Sequence, residues 1–216
     1  MSAILPLVHV VDDDQSFLTA VTRLLRAGGY EVRTFNSGAA FLESLRGGDA
    51  HGCAVVDLQM PGLTGLELQG GLEKINAPLP LIFLTGHGDI PSSVQAMRRG
   101  AEDFLTKPVK KQTLFEAVER ALARSARERQ GRDRLRELRA RFEALTPRET
   151  EVLAHVLRGR LNKQIASDLG ASERTIKAHR ANIMAKLAVQ SVAELARLAQ
   201  EAGIPAARER ERPDAV

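Results

Sequence analysis

Four apolar runs in the N-terminal half of the chain end on side chains that can do chemistry. Val8-His9-Val10-Val11 runs into Asp12, Asp13 and Asp14, and Ala54-Val55-Val56 runs into Asp57. Phe83-Leu84 ends on Thr85, and Lys107 stands just before Pro108. Clustered carboxylates repel one another unless a hard cation bridges them. Magnesium suits that place, because it takes oxygen ligands and keeps positions open for phosphate oxygens. Lys107 adds a point positive charge and Thr85 a hydroxyl donor. Metal cage, carboxylate nucleophile, cationic clamp and hydroxyl are the parts needed to move a phosphoryl group onto an aspartate.

Such a set works only if the elements carrying it end at one place. Leu7–Asp12, Tyr30–Thr34, Cys53–Asp57, Leu79–Thr85 and Asp103–Leu105 read as strands, the central ones as short continuous apolar runs typical of parallel strands covered on both faces. Helical segments alternate with them. Phe17, Leu18, Val21, Leu24 and Leu25 recur at helical spacing, with Asp14 as N-cap and Gly28-Gly29 as the stop. Leu114, Val118, Ala121 and Leu122 form the apolar face of a later helix. Leu66–Lys74 is the weakest helix, since Gly70 and Gly71 each cost about 1 kcal/mol against alanine. Five βα repeats imply a doubly wound parallel sheet, in which ligands bind at the carboxyl edge of the strands. The acidic groups fall on that edge.

Val11-Asp12-Asp13, Asp57-Leu58-Gln59-Met60-Pro61-Gly62, Leu84-Thr85-Gly86 and Lys107-Pro108 stand in the order and spacing of one family. Over roughly residues 5–123 the chain resembles the receiver domain of bacterial two-component systems, a flavodoxin-like α/β fold. The resemblance implies that Asp57 accepts phosphate from the phosphohistidine of a sensor histidine kinase. It implies that Asp12, Asp13, Asp57 and the Gln59 backbone carbonyl hold Mg²⁺, and that Lys107 and Thr85 contact the phosphoryl oxygens. Phe104 takes the family's aromatic switch position, turning inward when Thr85 moves toward the phosphate; it also reads as a core aromatic. The Lys107-Pro108 bond is commonly cis in the family, which would aim the lysine at the site. Asp12-x-Asp14 also resembles the nucleophile motif of haloacid-dehalogenase-type phosphatases. That reading leaves Asp57 unexplained, and Asp14 is more simply a helix cap.

Other features are bland. His9, His51, His87, His155 and His179 lack metal-ligand spacing, although His87 is placed to influence loss of the phosphoryl group. Cys53 is the single cysteine and reads as core filler. It cannot form an internal disulfide, which suits a reducing interior. The N-terminus lacks signal-peptide features, and no apolar run reaches the ~18–20 residues of a membrane span. These features point to the cytoplasm, with no membrane partner. The net charge of +4 is uneven: residues 1–120 hold 11 Lys/Arg against 14 Asp/Glu, and residues 121–216 hold 20 against 13. Only the second half is expected to meet a polyanion.

In that half, residues 124–141 read as a charged helical linker, with Leu135, Leu138, Phe142 and Leu145 continuing one narrow apolar stripe. Thr146 as N-cap, Pro147 at the first position and Glu149 at the third open a helix. Asn162–Leu169, the Gly170-Ala171-Ser172 turn and Ser172–Leu187 form a helix-turn-helix, and Val192–Ala202 closes a four-helix bundle. Leu145-Thr146-Pro147-Arg148-Glu149, Asn162-Lys163-Gln164-Ile165-Ala166 and Arg174-Thr175-Ile176-Lys177-Ala178-His179-Arg180 carry a resemblance to the NarL/FixJ-type (LuxR-like) DNA-binding domain over residues 142–203. It implies that Ser172–Leu187 enters the major groove. Ile176, Ile183 and Leu187 would face inward. Lys177 and Asn182 would then reach base edges, with Ala178 and Ala181 for close approach. Lys163, Arg174, Thr175, Arg180 and Lys186 would hold phosphates.

The expected organisation is therefore a receiver at 1–123, a linker at 124–141, a DNA-binding domain at 142–204 and a disordered tail at 205–216. The resemblance implies a phosphorylation-controlled transcription regulator rather than an enzyme, at most taking phosphate from Mg²⁺-dependent donors and losing it again. It further implies a homodimer formed through the faces around Ile90–Gly100 and Phe104–Leu122, double-stranded DNA as partner, and RNA polymerase beyond it. A receiver that works without phosphate and a pure interaction protein are the remaining alternatives.

Overall fold

The computed structural model describes residues 5–46, 50–86 and 90–204; the tail from 205 and the expectation for His87 lie outside the described residues. The chain divides into two compact units, Met1–Gln130 and Gly131–Val216.

In the first unit, β1 (Leu7–Val11), β2 (Glu31–Phe35), β3 (Cys53–Asp57), β4 (Leu81–Thr85) and β5 (Asp103–Thr106) alternate with α1 (Gln15–Ala27), α2 (Gly38–Leu45), α3 (Gly65–Lys74), α4 (Ile90–Arg98) and the first part of α5 (Lys111–Glu143), whose later residues belong to the second unit. All pairings are parallel, in the order β2-β1-β3-β4-β5. Alternate residues of each strand face opposite layers. Val8, Val10, Cys53, Val55, Ile82 and Leu84 pack against Leu18, Val21 and Leu25 of α1 and Leu114, Ala117, Val118 and Ala121 of α5. Val11, Ala54, Val56 and Phe83 pack with Phe41 of α2, Leu68 and Leu72 of α3 and Ala96 of α4. Cys53 is fully buried in the first of these layers, and burial pushes its thiol up to about 12. His9 is buried in the second layer, beside the rings of Phe35 and Phe41.

β3 has the limits read from the sequence, and the other strands differ from that reading by one or two residues. Tyr30 precedes β2 because its N–H still closes α1 on the Leu25 carbonyl. The third helix forms despite its two glycines. A reciprocal Thr64–Glu67 capping box opens it, and Gly71 lets α2 approach, since a Cβ there would lie 2.7 Å from Leu42 Cδ1. Close packing offsets the propensity cost. The residues expected as a helical linker are helical, and they continue the last receiver helix as α5, 33 residues long. Between Lys111 and Glu143 there is no proline and one glycine, Gly131, among strong helix formers, so nothing stops the helix. Among the described residues, no helix is long and apolar enough to cross a membrane.

In the second unit, α6 (Pro147–Leu157), α7 (Asn162–Asp168), α8 (Glu173–Leu187) and α9 (Val192–Ala202) enclose a core with Leu138, Phe142, Leu145, Val152, Leu153, Ile165, Ile176, Ile183, Leu187 and Leu195. Thr146, Ser172 and Ser191 cap α6, α8 and α9 with their side-chain oxygens. Leu161 occupies the same position before α7 and provides no side-chain hydrogen bond. The residue is 69% exposed.

Candidate functional site: an acidic pocket and a basic helix

Register builds the first site. Val11 pairs with Val56, and Asp57 with Leu84, so Asp12 and Asp57 leave adjacent strands at one level of the carboxyl edge. Thr85 ends β4 beside Thr106 of β5. The Lys107 N–H bonds to the Thr85 carbonyl at 2.7 Å, and the following peptide bond to Pro108 is cis. The Lys107 ammonium lies 2.6 Å from Asp12 Oδ2 and 2.7 Å from Asp57 Oδ1. The second oxygen of each carboxylate accepts from the backbone: Asp12 Oδ1 from Asp14 N–H at 3.0 Å, Asp57 Oδ2 from Gln59 N–H at 2.9 Å. Asp12, Asp57 and Thr85 are buried.

Two buried carboxylates against one ammonium leave the pocket short of positive charge. Burial dominates at Asp12 and holds its carboxyl above the ordinary range despite the Lys107 hydrogen bond. At Lys107 burial pulls the other way, but hydrogen bonds to Asp12 and Asp57 outweigh it and hold the ammonium above the ordinary lysine value. The pocket is thus an all-oxygen acceptor set aimed at a point where a cation sits. That chemistry fits a hard divalent ion. Asp13 stands exposed at the rim, and among the described residues no three Asp, Glu, His or Cys side chains converge on one point.

Asp14 Oδ1 accepts from Ser16 and Phe17 N–H and caps α1, which removes it from the phosphatase reading. Phe104 is half-buried, its ring 6.4 Å from that of Phe83. Sequence reasoning missed Phe17, whose ring centroid lies 4.2 Å from the Lys107 ammonium. As an apolar residue at helical spacing it gave no signal of contact with a residue 90 positions away.

The second site is the outer face of α8. Ile176, Ile183 and Leu187 are buried, while Arg174, Thr175, Lys177, Ala178, Ala181 and Asn182 are exposed, as is Lys163 on α7. Three of the expected phosphate contacts have other partners: the Thr175 hydroxyl pairs with that of Ser172 at 2.8 Å. Arg180 is half-buried and donates to Asn162 Oδ1 at 2.8 Å, joining α8 to the start of α7. The Lys186 ammonium lies 2.7 Å from Glu149 Oε2 and donates to the Ala144 carbonyl at 3.3 Å. The side chain is used inside the unit because Glu149, drawn into the core by its capping box, needs a cation.

An aspartate pocket at the carboxyl edge of a parallel α/β sheet and a helix-turn-helix with an exposed basic face define a regulator with separate input and output. Residues 8–119 match the response regulator receiver domain, and residues 143–199 match the bacterial regulatory proteins of the luxR family. The chain belongs to the response regulators that join these two domains. It is 42% identical over 193 residues to the response regulator protein TmoT of Ectopseudomonas mendocina, covering 89% of this chain and 87% of that one. It is 42% identical over 197 residues to the transcriptional regulatory protein FixJ of Azorhizobium caulinodans, covering 91% and 93%. The solved structure of the response regulator StyR superimposes with a TM-score of 0.80 at 46% identity, covering 92% of this chain and 100% of that one.

Proposed function

We propose that Asp57 is the phosphoacceptor through which a sensor histidine kinase controls DNA binding by α8. The observation that carries this reading is the position of the Asp57 carboxylate, 2.7 Å from the Lys107 ammonium and across it from Asp12. An Asp57 oxygen attacks phosphorus, the bond from phosphorus to the donor's histidine nitrogen breaks, and that nitrogen keeps the electron pair. The Gln59 N–H on Asp57 Oδ2 orients the carboxylate, leaving its other oxygen toward Lys107. As Asp57 loses its charge, Lys107 transfers its hydrogen bond to a phosphoryl oxygen, and the Thr85 hydroxyl donates to another. Asp12, Asp13, Asp57 and the Gln59 carbonyl would hold Mg²⁺, which when bound neutralises charge on the phosphoryl oxygens.

The movement of Thr85 would draw Phe104 inward and alter the face formed by α4, β5 and α5. Ile90, Val94 and Met97 give α4 an exposed apolar surface, which supports dimerisation there. A dimer brings two DNA-binding units to half-sites about one helical turn apart. Lys177 and Asn182 are assigned to base edges, Ala178 and Ala181 to close approach, and Lys163, Arg174, Thr175 and the outer edge of Arg180 to phosphates. RNA polymerase is the further partner, in the cytoplasm.

The test is the intact mass of the full chain after incubation with Mg²⁺ and acetyl phosphate, beside Asp57→Asn. A gain of one phosphoryl group in wild type, absent from the variant, is expected. A gain that survives in the variant overturns the assignment. Sedimentation then reads the dimer: a phosphorylated chain that stays monomeric without DNA counts against it.

A further inference from the structure

We propose that Phe17 is a positioning residue that holds the Lys107 ammonium in the pocket through the face of its ring. The inference rests on Asp57 as the phosphoacceptor and concerns what keeps the lysine in place while its partners change.

An ammonium has three N–H donors. In this pocket Asp12 and Asp57 take two of them, at 2.6 and 2.7 Å. The Phe17 ring lies beside the same nitrogen, 4.2 Å from its centroid, within the range of a cation–π contact. Lys107 is largely withdrawn from water, its side chain 22% exposed, so the remaining side of the charge needs compensation. An aliphatic side chain there would desolvate the ammonium and return nothing; the negative face of an aromatic ring returns part of the lost hydration.

The three contacts respond differently to phosphorylation. Asp57 gives up its negative charge when it becomes an acyl phosphate, and Lys107 must exchange it for a phosphoryl oxygen. Phe17 belongs to the first turn of α1, which Asp14 caps independently of Asp57, and it packs against the core layer containing Leu18 and Leu114. Ring and Asp12 together therefore retain the ammonium through the exchange. Weakening the ring's attraction lets the lysine leave, which slows capture of the phosphoryl group and hastens its loss to water.

The test uses the full chain with phenylalanine at position 17 replaced by mono-, di- and trifluorophenylalanine, which drain the ring face in steps with little change of shape. Phosphorylation by acetyl phosphate with Mg²⁺ is expected to slow progressively, by about threefold to tenfold over the series, with the acyl phosphate lifetime shortening in parallel, while Phe17→Trp keeps both near wild type. A second readout needs no metal and no phosphate. The Lys107 εCH₂ protons should be shifted upfield by the ring in wild type and lose that shift in Phe17→Leu. Equal rates across the fluorinated series, or no ring-current shift, overturn the proposal. If wild type takes up no phosphate from acetyl phosphate or from phosphoramidate, a P–N donor like phosphohistidine, the Asp57 reading fails, and the shift alone then decides whether the Phe17 ring lies over the lysine.

Discussion

The Lys186 ammonium sits 2.7 Å from Glu149 Oε2, the same oxygen that accepts the Thr146 N–H at 2.8 Å. One carboxylate thus closes the capping box of α6 and ties it to the last turn of α8. The Lys186 hydrogen bond first, and then the Thr146 N–H, hold the Glu149 carboxyl below its ordinary range. The stabilisation is complete above the unfolded-state value of about 4.3 and is lost as pH falls through the lower folded value. Replacing Lys186 by Met is expected to lower the thermal midpoint of the second unit at neutral pH. The salt dependence of DNA affinity should stay unchanged; a slope reduced by about one would restore Lys186 as a phosphate contact.

Leu161 holds a capping position without a capping atom. Its N–H already donates to Gln164 Oε1 at 2.9 Å, half of a capping box. Leu161→Ser supplies the other half and removes a side chain that packs little. A gain of about 1 kcal/mol in the second unit is expected, read as a midpoint about 4–8 °C higher for a domain of this size. An unchanged midpoint would show that the start of α7 is already satisfied.

Gly65 opens α3 directly behind the pocket. A Cβ there would lie 2.7 Å from the Asp57 carbonyl oxygen and 2.9 Å from Phe83 Cε1. Gly65→Ala must displace the end of β3, at about 1–3 kcal/mol. Because that strand end carries Asp57, the phosphorylation rate should fall by about tenfold or more in the fraction that remains folded. Mass spectrometry at matched folded fraction separates the two effects.

His9 is buried in the receiver core, its Nε2 3.3 Å from the His51 carbonyl, and burial lowers its pKa from 6.5 to about 4. Between those values the unfolded chain binds the proton and the folded chain does not, so stability falls as pH drops from about 6.5 toward 4. The loss reaches at most about 3 kcal/mol. Comparing urea midpoints of wild type and His9→Met across that range isolates the contribution; parallel curves would show that His9 takes no part.

The fold was legible because each part of it has a local cause. Continuous valine and leucine runs mark covered parallel strands, and Asp14 and Thr146 are caps whose action spans three residues. Asp12, Asp57, Thr85 and Lys107 could be grouped from sequence because strand ends in a parallel sheet share an edge. What stayed hidden depends on contacts across space. Gly71 reads as a helix breaker until Leu42 is seen against it. Lys186 reads as one more surface cation until Glu149 claims it. Phe17 reads as core until Lys107 is found at its ring. The length of α5 escaped for a different reason: the change in composition near residue 124 suggests a boundary, while the backbone has no cause to break there.

Cys53 has a practical consequence. The chain's only thiol is sealed within the sheet and remains protonated far above neutral pH, and it is the thiolate that reacts with alkylating reagents. A cysteine introduced at an exposed position away from the DNA-binding face, Gln200 on α9 for instance, would take a maleimide dye alone. Fluorescence could then follow phosphorylation and DNA encounter in real time in a chain whose native cysteine never has to be removed.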